Sequence, residues 1–189
     1  MTELADFHSE FFQDVLGTAD ASGQYLEDSF FELFCESLVD AGELETADRA
    51  HYARRGIRVD GYGGDPLTAE STLSLIIMDF NQATEVATLT ATDMEAIFKR
   101  LTKFLENSLT PQFRDSLEES SPGFGLADLV ASRWPGVVKV RLFLITNREL
   151  SARVDGRTAG EVLEIPVTYS VWDLGRLYRF VAQGHGRED

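Results

Sequence analysis

The sequence predicts a single α/β domain, in which a mixed sheet is flanked by helices and preceded by an N-terminal helical segment. Three observations indicate this class. Apolar residues recur at helical spacing near both ends, an apolar run lies between two turn-forming segments, and strand-like and helix-like patterns follow one another between them. A chain of 189 residues with 43% hydrophobic content can bury one sizeable core. We expect an acidic helical segment over residues 1–50, an α/β core over 51–183 and a flexible tail over 184–189.

Two helices are predicted in the acidic segment. The first runs from Leu4 to Val15, where apolar residues recur at helical spacing, and Gly17 can end it. The second has Gly42 as its terminator. Its inward side is formed by Leu26, Phe30, Leu33, Phe34 and Ser37. Cys35 lies among apolar residues of the same helix, so we interpret it as a small core residue rather than a nucleophile.

A hairpin follows the helices. The segments from Gly56 to Tyr62 and from Thr72 to Phe80 read as strands, and the turn-forming run at residues 63–66 suits a connection between antiparallel neighbours. Residues 73–78 are apolar on both faces. The second strand should therefore be central in the sheet.

The next helix covers the sheet. Thr92 and Glu95 form a candidate capping box, the apolar stripe of the helix runs from Met94 to Leu109, and Pro111 is expected to bend or restart it. A short helix is predicted around residues 126–130. We expect the helix from Met94 to Leu109 to cover the sheet with its apolar stripe.

The C-terminal part adds strands and a closing helix. A strand is predicted from Val137 to Ile145, ended by Asn147 and Arg148. One face of this strand carries Val138, Val140, Leu142 and Leu144. Residues 161–171 predict a further strand, which Pro166 demotes to an edge or a bulge, and residues 173–183 predict the last helix.

The charge is concentrated in the first quarter of the chain. Residues 1–50 contain 13 acidic residues and one arginine, whereas residues 51–189 contain 19 acidic and 16 basic residues. Phosphate-backbone binding draws its affinity from clustered Lys and Arg, so we do not expect direct nucleic-acid binding. Most of the acids are interpreted as solvated helix faces, although the same surface could attract a basic partner.

The sequence favours a reducing, cytoplasmic location without membrane insertion. The longest apolar run is far shorter than the roughly 20 residues that a membrane span needs. The N-terminus lacks the features of a signal peptide, and the single Cys35 permits no internal disulfide. The three histidines, His8, His51 and His185, have no metal-ligand spacing with one another or with Cys35.

Three segments carry a resemblance to a known family. They are the acidic-aromatic helix at residues 30–38 leading to 42–44, the Val59-Asp60-Gly61-Tyr62 hairpin with its apolar strand, and residues 170–180 around Trp172-Asp173. In order and spacing they resemble the N-terminal region of the AIPR family, bacterial proteins linked to abortive-infection phage resistance. The resemblance implies a restriction-endonuclease-like core. Family members are usually longer, so we expect an isolated N-terminal domain or a short relative.

The resemblance also identifies a candidate site that departs from the nuclease pattern. Endonuclease-like cores place one Asp at a strand end and Glu or Gln two residues before Lys on the next strand, because carboxylates hold Mg²⁺ and the ammonium group steadies phosphate charge. Asp60 matches the first position. Ile77 and Asp79 stand where Glu or Gln and Lys are expected. Trp172-Asp173 resembles the family's closing motif and is interpreted as an aromatic anchor followed by an acid at a helix start.

Three hypotheses follow. The favoured one is a non-catalytic interaction domain of an anti-phage defence protein, without catalytic residues, metal or cofactor, which contacts a protein partner or the C-terminal domain of a longer protein. The second is a divergent Mg²⁺-dependent nuclease that uses Asp60, Asp79 and a helix carboxylate, Glu36 or Glu32, with Asp60 and Asp79 on the metal. The third is a structural dimerisation domain, which makes this chain a homo-oligomer. Against the second, an Asp before Gly can simply cap its own turn.

Overall fold

The computed structural model describes residues 2–151 and 156–184. In this part of the chain the helices are α1 (Glu3–Ser22), α2 (Leu26–Asp40), α3 (Ala91–Ser108), α4 (Pro111–Asp115), α5 (Pro122–Arg133) and α6 (Leu174–Ala182). The strands are β1 (Asp48–Arg54), β2 (Ile57–Tyr62), β3 (Thr72–Asp79), β4 (Thr88–Leu89), β5 (Lys139–Thr146), β6 (Glu149–Leu150), β7 (Gly156–Val162) and β8 (Ile165–Trp172). No helix among the described residues combines the length and the apolar character that a membrane crossing requires.

Six strands form one mixed sheet in the order β1-β2-β3-β5-β8-β7. Its middle strands β3, β5 and β8 are parallel, whereas the pairs β1–β2, β2–β3 and β7–β8 are antiparallel. The strands that contain Asp60 and Ile77 are therefore adjacent and antiparallel, and the strand predicted after Val137 lies in the same sheet, as expected. This arrangement is compatible with a restriction-endonuclease-like core. The short strands β4 and β6 pair separately.

Side chains of β3 alternate between two cores. Leu73, Leu75 and Ile77 belong to the core beneath α3 and α5, whereas Ile76 and Met78 belong to the core beneath α1, α2 and α6. Residues 73–78 are all buried, which confirms the prediction of a central strand. Helices thus cover both faces of the sheet. Each fully buried aliphatic or aromatic side chain stabilises such a core by about 1.5–3 kcal/mol relative to exposure.

The first helix is longer than predicted. Gly17 lies inside α1 and does not end it, because the helix continues to Ser22 and buries Ala19 two residues later. Gly23 ends it instead: its φ is +73°, a left-handed conformation that suits glycine, and its N–H donates to the carbonyl oxygen of Ala19. The second helix ends at Asp40, and Gly42 follows with φ +77°.

The capping box of α3 is two residues earlier than predicted. Thr90 is the N-cap: its hydroxyl accepts from the Asp93 N–H at 3.1 Å, and the Asp93 carboxylate accepts from the Thr90 N–H at 3.3 Å. Thr92 already lies within the first turn, so Thr92 and Glu95 cannot form the box. Pro111 begins α4, which confirms that it restarts the helical chain.

The strand predicted for residues 161–171 is present as β8, but it begins later, at Ile165. Residues 161 and 162 instead end β7, and a tight turn in which Leu163 and Glu164 have φ of +46° and +69° joins the two strands. Pro166 does not mark a sheet edge, because β8 pairs with β5 on one side and β7 on the other, but the register between β7 and β8 shifts close to it, between Thr158 and Gly160. It is tolerated as the second residue of its strand.

Two smaller differences concern exposure and an additional strand. Val138 does not face the core with Val140, Leu142 and Leu144, since it precedes β5 and is 59% exposed. Strand β1 was not predicted.

Cys35 is a core residue as expected, and burial raises the pKa of its thiol to about 12.

Candidate functional site

Asp60 lies in β2, and its side chain is completely buried. Paired positions between β2 and β3 are limited to Gly61 with Ile76 and Tyr62 with Leu75. Next to them, the Asp60 Oδ2 accepts a hydrogen bond from the Met78 N–H at 2.9 Å. A side-chain carboxylate thus takes part in the hydrogen bonding between the two strands. Asp60 is a strand residue and does not cap its own turn.

Two arginines and a histidine from β1 and β2 surround this carboxylate. Arg58 donates two hydrogen bonds, from Nε to Oδ2 at 2.9 Å and from Nη2 to Oδ1 at 3.0 Å. Arg49 donates from Nη1 to Oδ1 at 3.1 Å and to the Asp60 carbonyl oxygen at 2.8 Å. The His51 Nδ1 lies 2.9 Å from Oδ1. With the Met78 N–H, these contacts occupy both carboxylate oxygens.

These contacts determine the protonation of Asp60. Burial by itself raises the pKa of the carboxyl group, because it penalises the charged form. Hydrogen bonds from His51 and Arg58, the charge of Arg58 and the Met78 N–H outweigh this effect and lower the pKa to about 2. Asp60 is therefore a fixed anion at physiological pH, neutralised within the protein.

Asp79 ends β3 and is held in a similar way by different residues. Arg148 binds it through two hydrogen bonds, Nε to Oδ2 at 2.7 Å and Nη2 to Oδ1 at 3.0 Å, and the Thr146 hydroxyl donates to Oδ2 at 2.7 Å. The hydrogen bond to Asp79 raises the pKa of Arg148. Thr146 is the last residue of β5, so Asp79 joins the carboxyl ends of two parallel strands.

The other predicted positions have different surroundings. Ile77 is completely buried in the core beneath α3, as expected. Glu36 lies on the exposed side of α2, where partial burial and then the charges of Glu32 and Asp40 raise its pKa. Within residues 2–151 and 156–184, no group of three or more His, Cys, Asp or Glu side chains is arranged to hold a metal ion.

Glu36 instead borders a groove between α2 and the start of β1, which we call the α2 groove. Its volume is about 790 Å³. Its apolar lining is formed by Phe31, Cys35, Val39 and Ala47. Its acidic lining is formed by Asp28, Glu32, Glu36, Asp40 and Asp48. Arg49 is the basic residue at its wall, and its Nε donates to Asp28 Oδ1 at 2.8 Å. The groove therefore adjoins the Asp60 cluster, by which we mean Asp60 with Arg49, His51 and Arg58.

Glycine is required where the α2 groove and the Asp60 cluster meet. A Cβ at Gly61 would overlap the Phe31 ring and lie 2.5 Å from the carbonyl oxygen of Asp48. The ring of α2 therefore packs directly on the backbone of β2. The residue after Asp60 is constrained by this close approach and not by a turn.

The sequence did not lead us to the basic half of the site. The partners of the two aspartates are Arg49, His51, Arg58 and Arg148, and none was proposed. A signal was present for three of them, since residues 49–58 contain four arginines and no acidic residue in an otherwise acidic chain. Arg58 is also two residues before Asp60, so strand alternation places both side chains on one face. The other contacts, of Arg49 and His51 with Asp60 and of Arg148 with Asp79, depend on strands that become neighbours only in the folded chain.

The Trp172-Asp173 motif has a structural role. Trp172 is buried, and the Arg176 guanidinium lies 4.2 Å from the centroid of its ring system. Asp173 caps α6, since its carboxylate accepts from the Arg176 N–H at 2.9 Å and also from the Leu150 N–H at 2.8 Å. These contacts support the interpretation of anchor and cap, and they fix α6 on the sheet.

Comparison with known proteins gives one match. The sequence model of a family described as abortive infection phage resistance protein N-terminal domain matches residues 30–179. The match begins in α2 and ends in α6, and it includes Asp60, Ile77 and Asp79. Searches of curated proteins and of solved structures returned no significant match.

Proposed function

We propose that this chain, which belongs to the family of abortive infection phage resistance protein N-terminal domains, is a non-catalytic interaction domain. Membership links the chain to abortive-infection defence against phage. In this proposal the domain acts in the cytoplasm and contacts a protein partner or a further domain of a longer defence protein. It uses no cofactor.

The arginine-bound state of the two aspartates is the observation that carries the proposal. A carboxylate that coordinates Mg²⁺ must direct an oxygen lone pair to the ion. Both oxygens of Asp60 and both oxygens of Asp79 already accept charge-assisted hydrogen bonds. A divalent cation would have to displace these bonds and then lie beside a guanidinium group. The arrangement supports a structural role for both residues.

Ile77, two residues before Asp79 on β3, supports the same conclusion. Ile77 offers hydrocarbon where a nuclease places a ligand, and its surroundings beneath α3 are apolar. The nearest cations to the aspartates, Arg58 and Arg148, are each bound to a carboxylate of the protein. They are not available in this state to stabilise the charge that develops on a phosphate during cleavage.

The net charge of the chain argues against a nucleic-acid substrate. The formal charge of the chain is −15. Such a field lowers the local concentration of a polyanion before contact. An acidic surface that includes the α2 groove is better suited to a protein partner than to a duplex.

The experiment is a cleavage assay with matched variants. Supercoiled plasmid is incubated with the wild-type chain, with Asp60→Asn and with Asp79→Asn, in Mg²⁺ and in Mn²⁺. We expect no metal-dependent nicking above buffer from any of the three proteins. Nicking by the wild type that both substitutions abolish, in variants whose circular dichroism shows folded protein, would replace this proposal with the nuclease alternative.

A further inference from the structure

Strand β1 ends the sheet and leaves one edge open. It pairs with β2 on its inner side, and no other described strand pairs with it. An edge strand presents main-chain N–H and C=O groups that can pair with another chain. His51, Arg54 and Asp48 are exposed along it. The edge is therefore accessible from outside the fold.

Opposite charges are separated along this edge. Arg54 ends β1 and Arg55 begins the turn after it, and we call these two exposed residues the arginine turn. In the described part of the chain, neither arginine forms an ion pair with an acidic group. The start of β1 borders the α2 groove, where Asp48 and Ala47 contribute to the lining. One end of the strand is thus basic and the other is acidic.

We propose that a second copy of this chain docks on this edge, with the two β1 strands antiparallel about a two-fold axis at His51. Antiparallel pairing about that residue places Asp48 of one copy opposite Arg54 of the other, and Ala47 opposite Arg55. The arginine turn of each copy therefore meets the mouth of the other copy's α2 groove. Each ion pair occurs twice, as a two-fold interface requires.

The α2 groove combines carboxylates with apolar surface, and the two together suit an arginine side chain. Glu32, Glu36 and Asp40 follow one another at four-residue intervals on α2 and so lie on one side of the helix. Their mutual repulsion is relieved by a cation from outside. Val39 is 36% exposed and provides an apolar surface for the methylene groups, while the guanidinium group meets the carboxylates.

A β-bulge in β1 makes the proposed dimer depend on its ion pairs more than on main-chain hydrogen bonds. The register between β1 and β2 shifts between Arg49 and Tyr52, where the axis would pass. Bulges twist an edge strand and weaken plain main-chain pairing with a neighbour. Main-chain hydrogen bonds then form mainly at the two ends of the strand, where the oppositely charged residues lie. The dimer depends on its ion pairs.

This inference goes beyond the proposed function and is independent of it. A chain that stays monomeric can still be a non-catalytic interaction domain, and a dimer can form whether or not the aspartates bind metal. Sedimentation therefore tests the dimer, whereas plasmid cleavage tests the absence of catalysis.

The experiment is sedimentation equilibrium of the 189-residue chain with charge-reversal variants. The wild type should approach twice the mass of 21.1 kDa as concentration rises. Arg54→Glu with Arg55→Glu should weaken the dimer by about a hundredfold, and so should Glu32→Arg with Glu36→Arg. An equimolar mixture of the two variants should recover the dimer to within about tenfold of the wild type, because each arginine turn again faces a groove of opposite charge.

Glu10→Arg with Asp14→Arg is the matched control, since it makes the same charge change at the same spacing on α1, away from the groove. It should leave the wild-type dimer intact. Three results would overturn the proposal: a wild type that stays monomeric, a dimer that survives the Arg54→Glu and Arg55→Glu change, or double variants that fail to associate when mixed. A monomer that binds an oligoarginine peptide through Glu32 and Glu36 would assign the groove to a foreign basic segment instead.

Discussion

The Asp60 cluster and the α2 groove are adjacent and both rich in carboxylates, but their electrostatics differ. Asp60 is buried, and Arg49 and Arg58 neutralise it. Glu36 lies on the exposed side of α2, where partial burial and then the charges of Glu32 and Asp40 disfavour its ionised form. The two carboxyl groups therefore have pKa values shifted in opposite directions. A carboxylate in this fold is stabilised where the tertiary structure supplies a cation, as at Asp60, or backbone N–H groups, as at Asp173, whereas Glu36 has neither.

The largest effect is expected from rebuilding the nuclease pattern. Ile77→Gln with Asp79→Lys buries a polar amide in an apolar core and places an ammonium group beside Arg148, which loses its partner. We expect the free energy of unfolding to fall by about 4 kcal/mol or more, and we expect no cleavage. Urea denaturation and plasmid nicking in Mn²⁺ measure the two outcomes. Nicking that disappears when Asp60→Asn is added would show that two side chains alone separate this domain from a nuclease.

Removal of the buried anion should have the next largest effect. Asp60→Asn leaves Arg49 and Arg58 beside a neutral side chain and weakens their bonds. We expect a loss of about 3 kcal/mol of stability, because an uncompensated charge remains in a partly buried position. Asp20→Asn, which changes an exposed carboxylate on α1 outside the cluster and outside β1, is the control and should change stability by about 0.5 kcal/mol or less. Equal losses of stability from the two substitutions would show that Asp60 contributes no more to the fold than an exposed carboxylate does.

Acid should weaken the Asp60 cluster over a defined pH range. The folded-state pKa of Asp60, about 2, is below its ordinary value of 3.8. The stabilisation is thus fully present above the ordinary pKa and is lost as the pH falls toward the folded-state pKa. The difference in stability between wild type and Asp60→Asn should shrink by about 2 kcal/mol between pH 5 and pH 2. Chemical denaturation across this range provides the measurement, and a constant difference would mean that Asp60 does not titrate in the window.

The smallest effect is expected in the α2 groove, with the opposite sign. The folded-state pKa of Glu36 is raised, so its ionised form disfavours the fold at neutral pH, and this penalty disappears as the pH falls through the raised pKa. Glu36→Gln should therefore stabilise the chain by about 0.2–0.5 kcal/mol at pH 7, the size of one like-charge pair on a helix. Thermal melting at pH 7 and pH 4 measures the change. Glu119→Gln, in an exposed turn, is the control that should change neither value.

Local patterns determined much of the architecture. The apolar run of β3 predicted a central strand because burial on both faces requires hydrophobic side chains at successive positions. The stripe from Met94 to Leu109 predicted the covering helix because helical periodicity specifies which residues share a face. The boundaries were less certain, as Gly17 and Thr92 show, since a glycine or a threonine ends or caps a helix only where the backbone conformation around it allows.

Strand β1 shows why one element was missed. Its sequence, Asp48-Arg49-Ala50-His51-Tyr52-Ala53-Arg54, has few β-branched residues and no alternation of large apolar side chains. It is a strand because β2 offers it hydrogen bonds on one side. Pairing of that kind depends on a neighbour and leaves little trace in the strand's own composition.

Hydrophobic periodicity and residue identity are local properties, so they were sufficient to predict the helix and strand layers, the central strand and the departure from the nuclease pattern at Ile77 and Asp79. The contacts of the two aspartates became evident only from the folded arrangement of the strands. Arg148 reaches Asp79 across 69 residues, and Arg49 reaches Asp60 through the pairing of β1 with β2. An ion pair depends on distances of a few ångströms between side chains, and strand order, which no local pattern encodes, sets those distances.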